Sequence, residues 1–297
     1  MPETTHSMLP WRGWGAVVVL PVAVLLLSPP QWPRWLFMWM LAFALFLGCK
    51  WLTWRRTQVT GIPWWLHLGY LIAWPGMDAR EFLSKEYPLA NCQPRMREWG
   101  AAGSNVLLGA ALFWVLSRLI PSGQEMFLGW CGMIGLILML HFGTFHLLSC
   151  AWRAMGVNAR PLMNRPLASE RVSEFWGKRW NTAFRDLTYR FLFRPLTIKL
   201  GLRRATVVGF AVSGLVHELV ISVPAHGGYG GPTLFFCIQA VALLVERSAH
   251  GRSIGLGHGW RGKLYTLLVL ILPAYGLFSP PFVRNIIVPF MRTLGVA

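Results

Sequence analysis

Acidic residues are scarce in this 297-residue chain: 11 Asp+Glu stand against 28 Lys+Arg, and charged residues of both signs make up only 13% of it. An average soluble domain carries about 25%. The shortage therefore excludes an ordinary soluble protein, and the 55% hydrophobic content, with 17 Trp and 18 Phe, excludes a disordered one. A nucleic-acid-binding domain would carry its basic excess on a polar surface, and this chain has little polar surface to offer.

Cysteine is sparse and unpatterned. Cys49, Cys92, Cys131, Cys150 and Cys237 form no CxxC pair, so neither a zinc knuckle nor a disulfide framework is expected. In apolar runs such thiols act as small hydrophobes. No P-loop is present, and His217-Glu218 is not followed by the second His that HExxH zinc chemistry requires, because Ile221 holds that position. Internal repeats and low-complexity segments are absent as well.

What the chain does contain is long apolar runs. A helix needs about 20 apolar residues to cross the hydrocarbon core of a bilayer. Candidate runs are 14–28, 35–49, 101–120, 127–150, 205–223, 232–245, 264–278 and 282–294, with a shorter one at 62–75 that suits a re-entrant or interfacial segment. The first run lacks the basic flank of a signal peptide beyond Arg12 and is expected to be a retained helix. These runs predict one all-α, polytopic membrane domain over 1–297 with seven to nine hydrophobic segments. Between the runs, 151–204 holds twelve cations and three acids, a net +9 out of the total +17. With the 50–61 and 247–263 loops it forms the basic side, which the positive-inside rule makes cytoplasmic. The charges of 76–99 balance, and Asp78-Ala79-Arg80-Glu81 within it reads as a cytoplasmic ion-paired turn.

Ionisable residues inside membrane runs are costly, and function is the default reading for them. His217 lies in Ser213-Gly214-Leu215-Val216-His217-Glu218-Leu219. Helical spacing puts Ser213, Gly214 and His217 on one face, where small neighbours leave room around an imidazole able to accept a proton as a general base. The bland alternative is a packing His bonded to a backbone carbonyl. Glu218 points about 100° away, and Ser213 lacks the surroundings of a serine nucleophile. His141 and His146, five residues apart, read as two separate packing or functional positions.

A second cluster is Phe175-Trp176-Gly177-Lys178-Arg179-Trp180-Asn181. Read as a helix through Phe191, it places Trp176, Trp180, Phe184, Leu187 and Phe191 on one stripe of an interfacial amphipathic helix, with Asn181 near Lys178 and Arg185 on another face. Cations at a membrane surface meet anionic head groups or bind the phosphates of a nucleotide-bearing donor.

Together the two strings resemble the FWGRRWN and SGxxHEL signatures of the wax synthase branch of the membrane-bound O-acyltransferases, and the similarity is concentrated in 165–250. The resemblance implies helices around a central catalytic cavity, with Asn181 and His217 at the active-site positions and His217 as the base. It implies transfer of a fatty acyl group from acyl-CoA, a co-substrate, to the hydroxyl of a lipid-soluble alcohol, without a metal or resident cofactor. Trp176, Lys178, Arg179, Trp180 and Arg185 are expected to support or bind the donor. The expected location is a bacterial inner membrane or a eukaryotic endoplasmic reticulum, among membrane lipids. A proton-coupled transporter or flippase using His217 and Glu218, and a scaffold that binds acyl-CoA without turnover, remain the alternatives.

Overall fold

The computed structural model describes residues 13–84, 93–121 and 123–296. Cys92 and part of the 76–99 segment lie outside the described residues. Those described form helices and connecting turns with no strand. Four helices are long and apolar enough to cross a membrane: α2 (Arg34–Arg55), α4 (Met96–Leu119), α5 (Glu125–Ala154) and α6 (Thr182–Ala225). A fifth span is available if Gly259–Leu277 (α8) and Pro280–Thr293 (α9), which meet at a 61° bend, act as one. The protein is an all-α polytopic membrane protein.

Proline sets the first boundaries. The shorter apolar helix α1 (Trp14–Leu27) stops before Pro29-Pro30, and α2 starts behind the extended Pro33. The pair closes as a hairpin whose crossing depends on Gly48, where a Cβ would lie 2.7 Å from Val17 Cα. A glycine pair does the same for α4 and α5, with a Cβ on Gly109 falling 2.6 Å from the carbonyl oxygen of Gly135. Small residues let membrane helices approach this closely.

The short apolar segment folds as a nine-residue helix, too short to span a bilayer. It forms α3 (Trp64–Ile72), whose Gly69 sits under the Trp152 ring, and Trp152 Nε1 donates to Ala73 O at 3.0 Å. Tyr70, Trp74, Phe82 and Trp152 form a buried aromatic core there. Lys50, near the end of α2, is fully buried against it. Its Nζ donates to Gly76 O at 2.6 Å and lies 3.2 Å from the centroid of the Tyr70 ring. A buried amino group requires such partners.

The 76–99 segment departs from expectation. Its acids pair outward, with cations of the basic segment: Glu81 with Arg160 at 2.6 Å and Glu98 with Arg153 at 2.6 Å. Asp78 instead caps the turn Ala79–Phe82 by accepting from Glu81 N at 3.0 Å. The basic segment also meets the 247–263 loop, where Arg171 Nε donates to Gly257 O at 2.7 Å and Glu170 accepts from Gly259 N at 2.9 Å. Glu125, Arg284 and Arg292 pair at the opposite end of the molecule. The string Gly257-His258-Gly259-Trp260-Arg261-Gly262 spells GxGxxG, but no strand precedes it among the described residues, so it is not a dinucleotide fingerprint.

The basic segment and α6 join differently from one long amphipathic helix. Residues 172–179 form a turn of helix widened to π geometry over Phe175–Arg179, and the chain then breaks at Asn181 (φ 42°, ψ 62°) before α6 begins. Inside α6 a second break falls at Gly201 (φ 76°, ψ 163°), which separates its basic first half from the apolar second half. Only glycine tolerates such a conformation without strain.

Candidate active site

The Asn181 break is assembled by a loop. Thr182 N donates to Leu162 O at 3.0 Å, Asn164 N to Arg179 O at 2.8 Å, and Asn181 N to Met163 Sδ at 3.2 Å. These contacts hold Asn181 in the left-handed region, where Asn is enriched among non-glycine residues. The stripe Trp176–Trp180–Phe184 is therefore interrupted, because Trp180 ends one helical piece and Thr182 begins the next. Local sequence reads straight through this point, since nothing in Trp180-Asn181-Thr182 forbids a helix.

His217 sits where α6 passes into a π turn, Glu218–Ser222. Its Nδ1 lies 2.7 Å from the carbonyl oxygen of Ser213. A carbonyl can only accept, so Nδ1 carries the hydrogen, and in the neutral ring the lone pair is on Nε2. The packing bond and the base thus use opposite edges of one imidazole. Ser213 Oγ donates to Gly209 O at 3.1 Å, so the hydroxyl is engaged within its own helix.

The space predicted beside His217 is occupied. A Cβ on Gly214 would lie 2.7 Å from Thr233 Cα, so Gly214 is where α7 (Gly231–Arg247) crosses α6. That crossing brings Phe236 to 4.4 Å from the His217 ring, centroid to centroid. It also places Glu218 Oε1 on Thr233 N and Oγ1, at 3.1 and 3.0 Å, which caps the first turn of α7.

Aromatic rings connect the two candidate positions. Trp180 stacks on Phe175 at 5.5 Å, Phe175 meets Trp176 at 5.0 Å, and Trp176 meets Phe236 at 5.7 Å. Trp176 Nε1 donates to Gln239 Oε1 at 3.3 Å, and Gln239 Nε2 donates to Val269 O at 2.8 Å. Glu246 completes the scaffold by accepting from Val172 N at 2.5 Å and Ser173 Oγ at 2.6 Å. Phe236, Gln239, Glu246 and Thr233 were not singled out from sequence. Each is one polar or aromatic residue in an apolar helix, and its partner lies far away in the chain.

A cleft of about 570 Å³ opens beside this scaffold. Arg160, Arg165, Lys178 and Arg185 line it, as do Asp78, Glu81, Glu98 and Asp186. Thr182, next to Asn181, is in its wall; Asn181 and His217 are not. Lys178 and Arg165 form no ion pair among the described residues, whereas Arg185 pairs with Asp186 at 3.0 Å. Arg179 is committed elsewhere: its guanidinium holds Glu174 at 2.7 Å and donates to Asn164 O at 3.2 Å. Glu81 is pushed above the usual carboxylate range by burial, against the pull of Arg160. Glu98, His146 and Cys150 converge within 4.8 Å. Arg153 already supplies their cation, with Nη2 at 2.6 Å from Glu98 and 3.5 Å from Cys150 Sγ.

Residues 159–238 match the membrane bound O-acyl transferase family. The chain is 29% identical over 144 residues to a long-chain-alcohol O-fatty-acyltransferase of Simmondsia chinensis, covering 44% of this chain and 40% of that protein. It is 27% identical over 146 residues to a probable long-chain-alcohol O-fatty-acyltransferase 9 of Arabidopsis thaliana, covering 44% and 42%. An acyl-CoA–sterol O-acyltransferase 1 of the same plant is 26% identical over 159 residues, covering 46% and 43%. The chain thus aligns with about two fifths of the length of these curated relatives. The family match includes both the Asn181 break and the His217 turn, and over that stretch the chain is similar to the membrane bound O-acyl transferase family.

Proposed function

We propose that the protein transfers a fatty acyl group from acyl-CoA to the hydroxyl of a hydrophobic alcohol, with a long-chain alcohol as the first candidate. The observation that carries the reading is His217, whose Nδ1 is spent on Ser213 O and whose Nε2 is left as the basic edge, within the segment shared with the acyltransferase family. In this reading Nε2 takes the acceptor proton as the alcohol oxygen attacks the thioester carbonyl. Collapse of the tetrahedral intermediate breaks the carbon–sulfur bond, and the imidazolium returns the proton to the departing thiolate. Help of this kind is worth about 10²–10⁴-fold. Asn181 donates its amide hydrogen bond to the carbonyl oxygen or to the donor.

Donor phosphates fit the cationic wall of the cleft, with Lys178, Arg165, Arg160 and Arg185 as contacts. Trp176, Trp180 and Arg179 act as the frame behind it. The basic loops face the cytoplasm, where acyl-CoA is dissolved, and the acceptor arrives through the lipid. The membrane is the inner membrane in a bacterium and the endoplasmic reticulum in a eukaryote.

The test is ester formation. Purified protein given labelled acyl-CoA and a panel of long-chain alcohols, sterols and diacylglycerol should yield an ester, and His217→Ala should lose most of it. No ester from wild type, or equal yield from the variant, overturns the proposal. Solute uptake into proteoliposomes without ester would favour transport, and acyl-CoA binding without product would favour a scaffold.

A further inference from the structure

His141 takes no part in the mechanism above, yet it borders the same scaffold. It lies within α5 on a stretch wound as a π-helix, Ile137–Thr144. Such widened turns recur at functional sites. Its ring stacks on Trp180, 6.3 Å between centroids and 14° between planes, and meets Phe145 edge-on at 5.2 Å. Trp180 is the residue before Asn181. Nδ1 of His141 is sealed from solvent and has no hydrogen-bond partner among the described residues. Buried ring nitrogens are ordinarily satisfied by protein or by an ordered molecule.

We infer that His141 binds the hydroxyl of the acceptor alcohol, through a hydrogen bond at Nδ1 beside the Trp180–Asn181 break. This rests on the acyl-transfer reading. Three observations select an alcohol. The ring stands among aromatic side chains, with no cation among its ring contacts, which suits one small polar group on an otherwise apolar molecule. The charged cleft has its own lining, and His141 is not part of it, so the phosphate-bearing donor has a separate place. Its position is also deep: at 1.5 Å per residue, His141 is roughly 24 Å along the helix from Glu125 and roughly 20 Å from Ala154. A ligand arriving at that depth comes from the lipid. His141 is then a binding residue, and the proton still leaves through His217.

The full chain in detergent is tested with 1-hexadecanol against hexadecane, by thermal stabilisation and by steady-state kinetics. Wild type should be stabilised more by the alcohol than by the alkane. His141→Phe keeps a ring against Trp180 but loses the nitrogen; it should abolish that difference and raise KM for the alcohol about tenfold, the worth of one hydrogen bond. KM for acyl-CoA should stay within about twofold, and His141→Asn, which restores a polar atom near Nδ1, should recover part of the loss. His141→Leu is read in the same way if the Phe variant does not fold. Wild type with no preference for hexadecanol, a variant with unchanged alcohol KM and unchanged preference, or a change confined to acyl-CoA would each overturn the inference. A wild type that prefers hexadecanol through His141 but makes no ester would sink the transfer reading and leave this one standing.

Discussion

Glu218 and Thr233 are joined twice: one carboxylate oxygen accepts both the backbone N–H and the hydroxyl of Thr233, at 3.1 and 3.0 Å. The acid beside His217 is thereby a strut between α6 and α7. Glu218→Ala strands a partly buried N–H and should cost about 1 kcal/mol, read as a lowered thermal midpoint. Glu218→Gln, which keeps an acceptor oxygen, should lose less stability and keep the wild-type pH profile. A profile that shifts with Gln would restore the proton-relay reading.

Replacing His217 with Ala should reduce ester formation by about 10²–10⁴-fold with little change in acyl-CoA binding. Ser213→Ala should stay near wild type, because His217 uses the Ser213 carbonyl and not its hydroxyl. A large loss in Ser213→Ala would return the serine to the chemistry.

At Asn181 conformation and chemistry separate cleanly. A left-handed backbone costs a residue other than Gly about 1–2 kcal/mol, so Asn181→Gly should be at least as stable as wild type and Asn181→Ala less stable. Both should lose activity, since both lack the amide. Retained activity in the Gly variant would mean that only the backbone turn matters.

Gly214→Ala places a Cβ 2.7 Å from Thr233 Cα and should cost about 1–3 kcal/mol by overpacking. Activity per folded molecule should also fall, because the same crossing sets Phe236 against His217. Unfolding and turnover measured on one preparation separate the two effects.

Glu81 contributes one pH dependence of stability. Burial raises its carboxyl above the ordinary glutamate value of 4.5, so folding holds this proton more tightly than the unfolded chain does. Its contribution is fully present below the ordinary value and is lost as pH rises through the raised one. The thermal midpoint of wild type relative to Glu81→Gln should therefore fall between acid and neutral pH. A flat difference would show that Arg160 cancels the effect of burial.

The all-α, membrane-capable character and the two strings inside the family match were legible because each is local, apolar length and a short pattern, whereas of the seven to nine segments expected four helices, or five with the bent pair, are long enough to cross. The break at Asn181 was not, because it is imposed by Leu162, Met163 and Asn164, which reach it from the preceding loop. Gly214 misled for a related reason. A small residue signals room, and only the position of α7 decides whether the room is a cavity or a helix crossing. Asp78-Ala79-Arg80-Glu81 looked self-paired because neighbours in sequence were the only visible partners, whereas Glu81 pairs with Arg160, more than fifty residues on.

Lys50 also constrains the order of assembly. Its amino group is buried only with the Gly76 carbonyl and the Tyr70 ring in place, and both lie downstream of α2 in the chain. The α1–α2 hairpin alone leaves that end open to water, and α3 with the turn behind it covers the amine. Closure of this corner therefore needs downstream sequence, and a released chain truncated before Gly76 should expose Lys50 to an amine-reactive label that the full chain resists.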